Sequence, residues 1–548
     1  MRNLWKSIPI YLLLIVGSLI FSFPFVWMAS TSIKVDRELF TQDVQIKPLT
    51  PSAAVHSPYV DTTYYADLPG SLARQQSIVP ALAKYARQSG HSLPDGIDAE
   101  LAWQQVGRGL YLKLSKVLPA SVWSGPEQAV IAAARDVGTA EVMKEILTNI
   151  DRRLSLGSIH VRSLQLEEVD LSAGIAPSIQ WTNSTPMVAH FTDQSEGRRQ
   201  YADVSYDFSK GDSIGLARQF TLPFDVKDLQ RIQMQLRPDD SWHEVALTLE
   251  AMGRRWQQRR IVPLANYEWQ TITWQWPSDD DTSTKIKTWI LLDEVGQQHQ
   301  VTDPRQMRLT LSINKVTPSG AWANKIRMNY DRVLDYIPFW RYLRVSLFLV
   351  IANILLTLAA SSFVAYAFSR LHWPGRDFCF ALMLATMMIP GQVTMIPHFL
   401  IWKSLGAYNT LTPLWLGSAF GSAFFIFLLR QFMKGIPRDL EDAARIDGCG
   451  FFRIYWHVIL PLIKPSLAAI AIFTFMGTWN DFMGPLLYVA DQRLYSLAFG
   501  LYAFSVQVGN SPTLTMAGSL LMTVPVIVIF FFAQKYFIQG VTLTGMKS

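Results

Sequence analysis

Residues 345–368 read VSLFLVIANILLTLAASSFVAYAF, a run with no Asp, Glu, Lys, Arg or His. A helix advances about 1.5 Å per residue, so roughly 20 such residues cross the ~30 Å hydrocarbon layer of a bilayer with every backbone polar group satisfied inside the helix. Working outward, five further stretches of similar length occur at 8–30, 378–402, 411–429, 466–489 and 513–534, free of acidic and basic charge except for Asp481. Any one of them could be a buried helix of a large soluble core; six together describe a six-span, all-α membrane domain. The first follows Arg2 and Lys6, as a signal peptide would, but it is longer than a signal core and ends in PFVWMASTSIK without a small-residue cleavage site.

Basic residues are retained on the cytoplasmic side of short loops. Arg2 and Lys6, then Arg370 and Arg376, then Lys434, Arg438, Arg445, Arg453 and Lys464 fall on one side of a six-span chain. Both termini are therefore expected in the cytoplasm, and the polar region from about 34 to 341 outside. The expected division is 1–34 for the first span, 35–170 for a helical subdomain, 171–335 for a β-sandwich, and 336–548 for a core of five spans, giving an inserted extracytoplasmic α+β domain. Val142, Ile146 and Ile150 have helical spacing, whereas Ile232, Met234 and Leu236, Val245, Leu247 and Leu249, and Leu309, Leu311 and Ile313 alternate with period two. The breaks RPDDS and WPSDDD between such runs suit an antiparallel sandwich, with a jelly-roll of carbohydrate-binding type as the expected form. The two halves are expected to join near LEEVDLSAGIAPS (166–178).

The composition limits the function. The net charge is +6, without a Lys/Arg run dense enough for a phosphate backbone, so nucleic acid is not an expected partner. Cys379 and Cys449 are the only cysteines, so the outer region has no disulfide. The sequence contains no GxxxxGK[ST] phosphate loop, no recognisable metal-ligand spacing and no GxSxG elbow. The chain is expected not to be an enzyme, and any nucleotide energy must come from another polypeptide.

The segment GIPRDLEDAARIDGCGFFRIYWHVILPLIKP (435–465) carries the chemistry. Pro437 can open a helix, Asp439, Glu441 and Asp442 suit its positive end, Ala443 and Ala444 are strong helix formers, and Gly448 can end it. A short acidic, small-residue helix in a cytoplasmic loop is something a second protein can grip, although pattern alone equally allows an ordinary solvated loop. The order Asp442-Ala443-Ala444, Gly448, Leu460-Pro461 resembles the EAA loop of bacterial ABC-importer permeases, with Asp442 for the commoner Glu and Val458 for Ile. The resemblance continues through ASSFVAYAFSRL, MMIPGQVTMIP, FIFLLRQF, WNDFMGPLLY and QGVTLTGMKS. It identifies the chain with carbohydrate-uptake permeases similar to the smaller membrane subunit of the maltose transporter, which has no domain of this size after its first span.

The resemblance implies a type I importer fold with a second permease subunit, two copies of a cytoplasmic ATPase holding ATP and Mg²⁺, an extracytoplasmic solute-binding protein, and a bacterial inner membrane around the spans. It gives Glu441, Asp442, Ala443, Ala444 and Gly448 the ATPase-coupling role, with Leu460 and Pro461 closing the motif. Trp479, Asn480 and Asp481 are candidates for the substrate path, because an acid inside a span is costly and an indole beside an amide suits a sugar; Asp481 pairing locally is the alternative. Gln392 and Thr394, between Pro390 and Pro397, are weaker candidates for the same path. Trp242, Trp269, Trp274, Trp276 and Trp289 can be read as a sugar platform or, at period two, as sandwich core, the reading favoured here. Two rival functions are a membrane-anchored carbohydrate-binding or sensing protein, and an enzyme with its active site in the outer region.

Overall fold

In the computed structural model, residues 4–39, 46–165, 168–172, 181–197, 199–275, 286–297, 301–509 and 511–542 are described. Arg2, most of the expected join at 166–178, the WPSDDD break with Trp276, and the last six residues of QGVTLTGMKS lie outside them. The chain forms two compact units. One comprises 1–32, 280–287 and 332–548, the other 33–279 and 288–331.

The first unit is helical. Four helices are long and apolar enough to cross a membrane: Pro9–Ser32, Phe339–Arg370, Thr412–Lys434 and Pro512–Phe532. The other two expected spans are each a bent pair. Arg376–Thr386 meets Gly391–Ser404 at 100°, and Phe451–Leu462 meets Lys464–Trp479 at 76°. The span expected over 378–402 is thus broken between Thr386 and Gly391. Pro390 has no N–H and disfavours helical geometry at Ile389, so one helix ends before it and the next starts from it. The span expected over 466–489 ends at Trp479 and is followed by a separate short helix, Met483–Tyr488. Leu497–Gln507, which sequence analysis did not single out, is a further short apolar helix.

The second unit has two parts. Helices Leu72–Gln88, Ala99–Val117, Glu127–Val137 and Ala140–Ile150 enclose a core that includes Leu82, Leu110, Ala134 and Ile146. Asp98 accepts from the N–H groups of Glu100 and Leu101, and Thr139 from that of Val142, which caps two of these helices. At Gly107 the first two helices cross so closely that a Cβ would lie 2.6 Å from the Val79 carbonyl. The β part is two antiparallel sheets around one core, joined by a single parallel pair that sets Trp274 beside Ile290. The expected alternation is visible in that core: Ile232, Met234 and Leu236 from one sheet meet Val245, Leu247 and Leu249, and Leu309, Leu311 and Ile313, from the other. Strand Leu154–Ser163 also belongs to the sandwich, before the boundary expected at 170. Its apolar parity slips at a bulge, from Leu154 and Leu156 to Ile159 and Val161, which hides period two from a sequence scan.

Trp274 is buried in the sandwich core, as the favoured reading holds, whereas Trp242 is buried in a separate cluster with Val35, Ala265 and Ala321. Trp269 and Trp289 are not: both are half-buried, beside arginines that face away from the core. The entry and exit segments of this unit are clamped together by Lys325, whose Nζ lies 2.6 Å from both Glu38 Oε1 and the Leu49 carbonyl, and by Asn329, which donates to the Lys34 carbonyl.

Candidate functional site

The loop at 435–465 folds as helix Asp439–Ile446, a turn, helix Phe451–Ile454, and a π-helical turn at Tyr455–Ile459 leading into Leu460 and Pro461. Asp439, Glu441 and Asp442 lie in the first turn of the acidic helix, where the helix dipole favours negative charge. Gly448 ends that helix at φ +79°, a left-handed conformation that glycine adopts without strain. Its N–H bonds the Arg445 carbonyl at 3.0 Å and that of Cys449 bonds the Ala444 carbonyl at 2.9 Å, the double closure of a Schellman turn. Pro461 offers no N–H to the preceding turn, and the π-helical turn lies directly before it.

Glu441 does not face outward. It is 3% exposed, with Oε1 2.8 Å from Nε of Arg370, the last residue of the Phe339–Arg370 helix. The N–H points off the line to the carboxylate, so the contact is an ion pair rather than a straight hydrogen bond. Arg370 Nη2 also donates to the carbonyls of Met433 and Ile436. Two more ties join the loop to the same helix: Tyr366 Oη donates to the Phe451 carbonyl, and Ser362 Oγ lies 2.7 Å from Tyr455 Oη. The acidic helix is thus pinned to the end of a membrane helix at several points.

Asp442, Ala443 and Gly448 are exposed, Ala444 and Leu460 half-buried, and Pro461 exposed. The apolar residues among them were not singled out by the loop's pattern. Ile446 is 87% and Phe452 79% exposed, with Leu440 and Phe451 also open. Their signal was present, since large apolar residues in a loop flanked by Arg438, Arg445 and Arg453 have no lipid-facing reason to be there.

The expected path residues divide. Trp479 is buried, stacks on Phe475 and donates from Nε1 to the Met522 carbonyl, so it presents no open face. Asp481 is half-buried and accepts from the Gly484 N–H at 2.9 Å, and a Cβ on Gly484 would meet its Oδ2 at 2.5 Å. Asn480 is exposed with its amide donating to the Met476 carbonyl. Gln392 is exposed and Thr394 half-buried in the first turn after the 100° bend, with Thr394 Oγ1 bonded to the Gly391 carbonyl.

A polar seam went unnoticed in the sequence. Asn353, Thr357 and Ser361 recur at four-residue spacing on the Phe339–Arg370 helix and are all buried. Asn353 Nδ2 donates to the Leu414 carbonyl at 3.0 Å and its Oδ1 accepts from Ser418; Ser361 Oγ accepts from the Ser422 N–H. These bonds satisfy backbone where the Thr412–Lys434 span is irregular around Gly421, as the hydrocarbon layer requires. Among the described residues there is no group of His, Cys, Asp and Glu that could hold a metal ion.

The profile of the family described as binding-protein-dependent transport system inner membrane component matches residues 357–543. An arabinooligosaccharides transport system permease protein of Halalkalibacterium halodurans is 37% identical over 209 residues, 38% of this chain and 75% of that relative. The chain belongs to this family. Other relatives among such inner membrane components include a galactooligosaccharides transport system permease protein of Bacillus subtilis, 35% identical over 219 residues, 39% of this chain and 75% of the relative. A solved bacterial ABC transporter involved in the import of alginate aligns with 38% of this chain and 79% of its own, at 27% identity and a TM-score of 0.34.

Proposed function

We propose that this family member is a permease subunit of an ATP-driven importer for an oligosaccharide, and that a cytoplasmic ATPase drives it through the 435–465 loop. The observation that carries the reading is the loop's two-sided construction. Its outer side exposes Leu440, Ile446 and Phe452 beside the acids, while its inner side is fixed to the end of a membrane helix through Glu441 and Arg370. A partner gripping the outer side moves the membrane helix with it. Membership of a binding-protein-dependent family and the relatives' names support the solute class.

On this reading the two bent pairs are each one span, making six in a bacterial inner membrane with both termini cytoplasmic and the inserted unit outside. A second permease subunit, two ATPase copies holding ATP and Mg²⁺, and an external solute-binding protein complete the assembly. Asp442, Ala443 and Gly448 belong to the gripped surface, Ala444 to its packed underside, and Leu460 with Pro461 to the return into the membrane. Asn480, Asp481, Gln392 and Thr394 remain the path candidates. Purification of the complex and reconstitution in proteoliposomes tests this: uptake is expected to require ATP inside and to stop on exchange of Asp442 for Lys, with the complex still assembled.

A further inference from the structure

Three neighbouring strands in one sheet of the inserted unit, Leu154–Ser163, Leu229–Arg237 and Gln270–Gln275, turn a polar face away from the core. Because Ile232, Met234 and Leu236 point inward, Arg231, Gln233, Gln235 and Arg237 point outward. The strand register places partners beside them in rows: Arg162 and Gln275 flank Arg231, His160 and Thr273 flank Gln233, Thr271 lies beside Gln235, and Ser155 beside Arg237. From Arg231 to Arg237 the face is roughly 20 Å long at ~3.3 Å per residue.

Three features of this face are not what structure alone requires. Arg162 and Arg231 are directly opposite across the strands, a like-charge pairing that is destabilising, and neither has a carboxylate partner among the described residues. Burial and the neighbouring Arg162 both push the Arg231 guanidinium below its ordinary range. Next, an aromatic ring lies beside a guanidinium group at each end: Arg231 lies 4.3 Å from the Trp289 ring centre, which leaves its N–H edge for a planar anion, and Arg237 lies 5.3 Å from that of Trp269, with its Nη2 already bonded to Ser155 Oγ and paired with Asp203. Finally, Gln275, only 6% exposed, has a side-chain oxygen without a partner, and Nε1 of Trp269 and of Trp289 are likewise unpaired. Unpaired buried polar atoms beside facing arginines mark a place built for a missing ligand.

We propose that this sheet face binds an acidic oligosaccharide, with Arg162 and Arg231 sharing one of its carboxylates and the Gln and Thr rows taking its hydroxyl groups. The choice of a saccharide over another anion rests on the transport reading above. The acidity rests on the arginine pair, and lies outside what family membership supplies.

The test is calorimetric titration of the full chain, purified in detergent, with a galacturonic acid hexamer and with the same hexamer methyl-esterified. The acidic hexamer is expected to bind about tenfold or more tightly than the ester, with affinity falling as salt rises. Arg162→Gln, an exposed change, and Arg231→Gln are each expected to weaken it about tenfold, whereas Arg254→Gln on the other sheet leaves it unchanged. Equal binding of both hexamers, absence of binding, or indifference to both arginine changes overturns the proposal. If the acidic hexamer fails while the chain still purifies with its ATPase and a second permease, the acidic-ligand inference falls and the transport reading stands.

Discussion

Arg370 and Glu441 face each other 2.8 Å apart, both almost fully buried, one at the end of a membrane helix and the other in the first turn of the loop helix. Removing one partner leaves the other charge stranded, at a cost of about 3–5 kcal/mol, whereas replacing both by apolar groups of similar volume is close to neutral. Glu441→Ala is therefore expected to lower the melting temperature of the purified chain more than the double change Arg370→Met with Glu441→Met. Both should uncouple ATP hydrolysis from uptake, because both remove the rigid link. Thermal unfolding together with uptake measurements separates the two effects.

The exposed apolar pair gives the opposite pattern. Ile446→Asp and Phe452→Asp alter side chains that touch little in the chain itself, so stability should change by no more than ~0.5 kcal/mol. Co-purification of the ATPase subunit is expected to fall about tenfold or more, since burying an unpaired carboxylate at an interface costs at least ~1.4 kcal/mol.

Gly448 separates backbone from surface effects. At φ +79° a β-branched residue is strained by roughly 1–2 kcal/mol, while Asn tolerates the region far better. Nothing lies within 4 Å of a Cβ built there, so space is not the constraint. Gly448→Val should reduce coupled uptake, and Gly448→Asn should keep most of it.

His243 sets a pH dependence in the inserted unit. It is buried; Nδ1 accepts from the Val316 N–H, so the ring is neutral and Nε2 donates to the Ala54 carbonyl. Burial pushes it below the ordinary imidazole range; the hydrogen bond to Ala54 and the charge of Asp239 oppose that shift, and Lys315 adds to it. The unfolded chain, titrating near ~6.5, therefore takes up the proton first. The stability from neutral His243 is complete above that value and is lost as pH falls toward the folded value. Between about pH 7.5 and about pH 5.5 the wild-type chain should lose more thermal stability than His243→Gln.

Much of this was legible in the sequence because two simple periodicities carry it. Uncharged runs long enough for a bilayer located the membrane unit, and alternation in 232–236, 245–249 and 309–313 located the sandwich core. The bends were not, since a proline such as Pro390 marks a break without its angle, which is 100° here. The inward direction of Glu441 was hidden for a related reason. Its partner Arg370 is far away in sequence, and an acid in a helix's first turn looks the same whether it faces solvent or a buried guanidinium.

The most direct test of the central claim is disulfide-directed crosslinking from Ile446→Cys in a chain whose Cys379 and Cys449 are changed to Ser. The account predicts that a membrane-impermeant thiol reagent labels this cysteine only in inside-out vesicles, and that in the assembled complex it crosslinks to an ATP-hydrolysing subunit. Labelling from the outer face of intact cells, or a fully coupled complex in which no ATPase reaches this position, would contradict it.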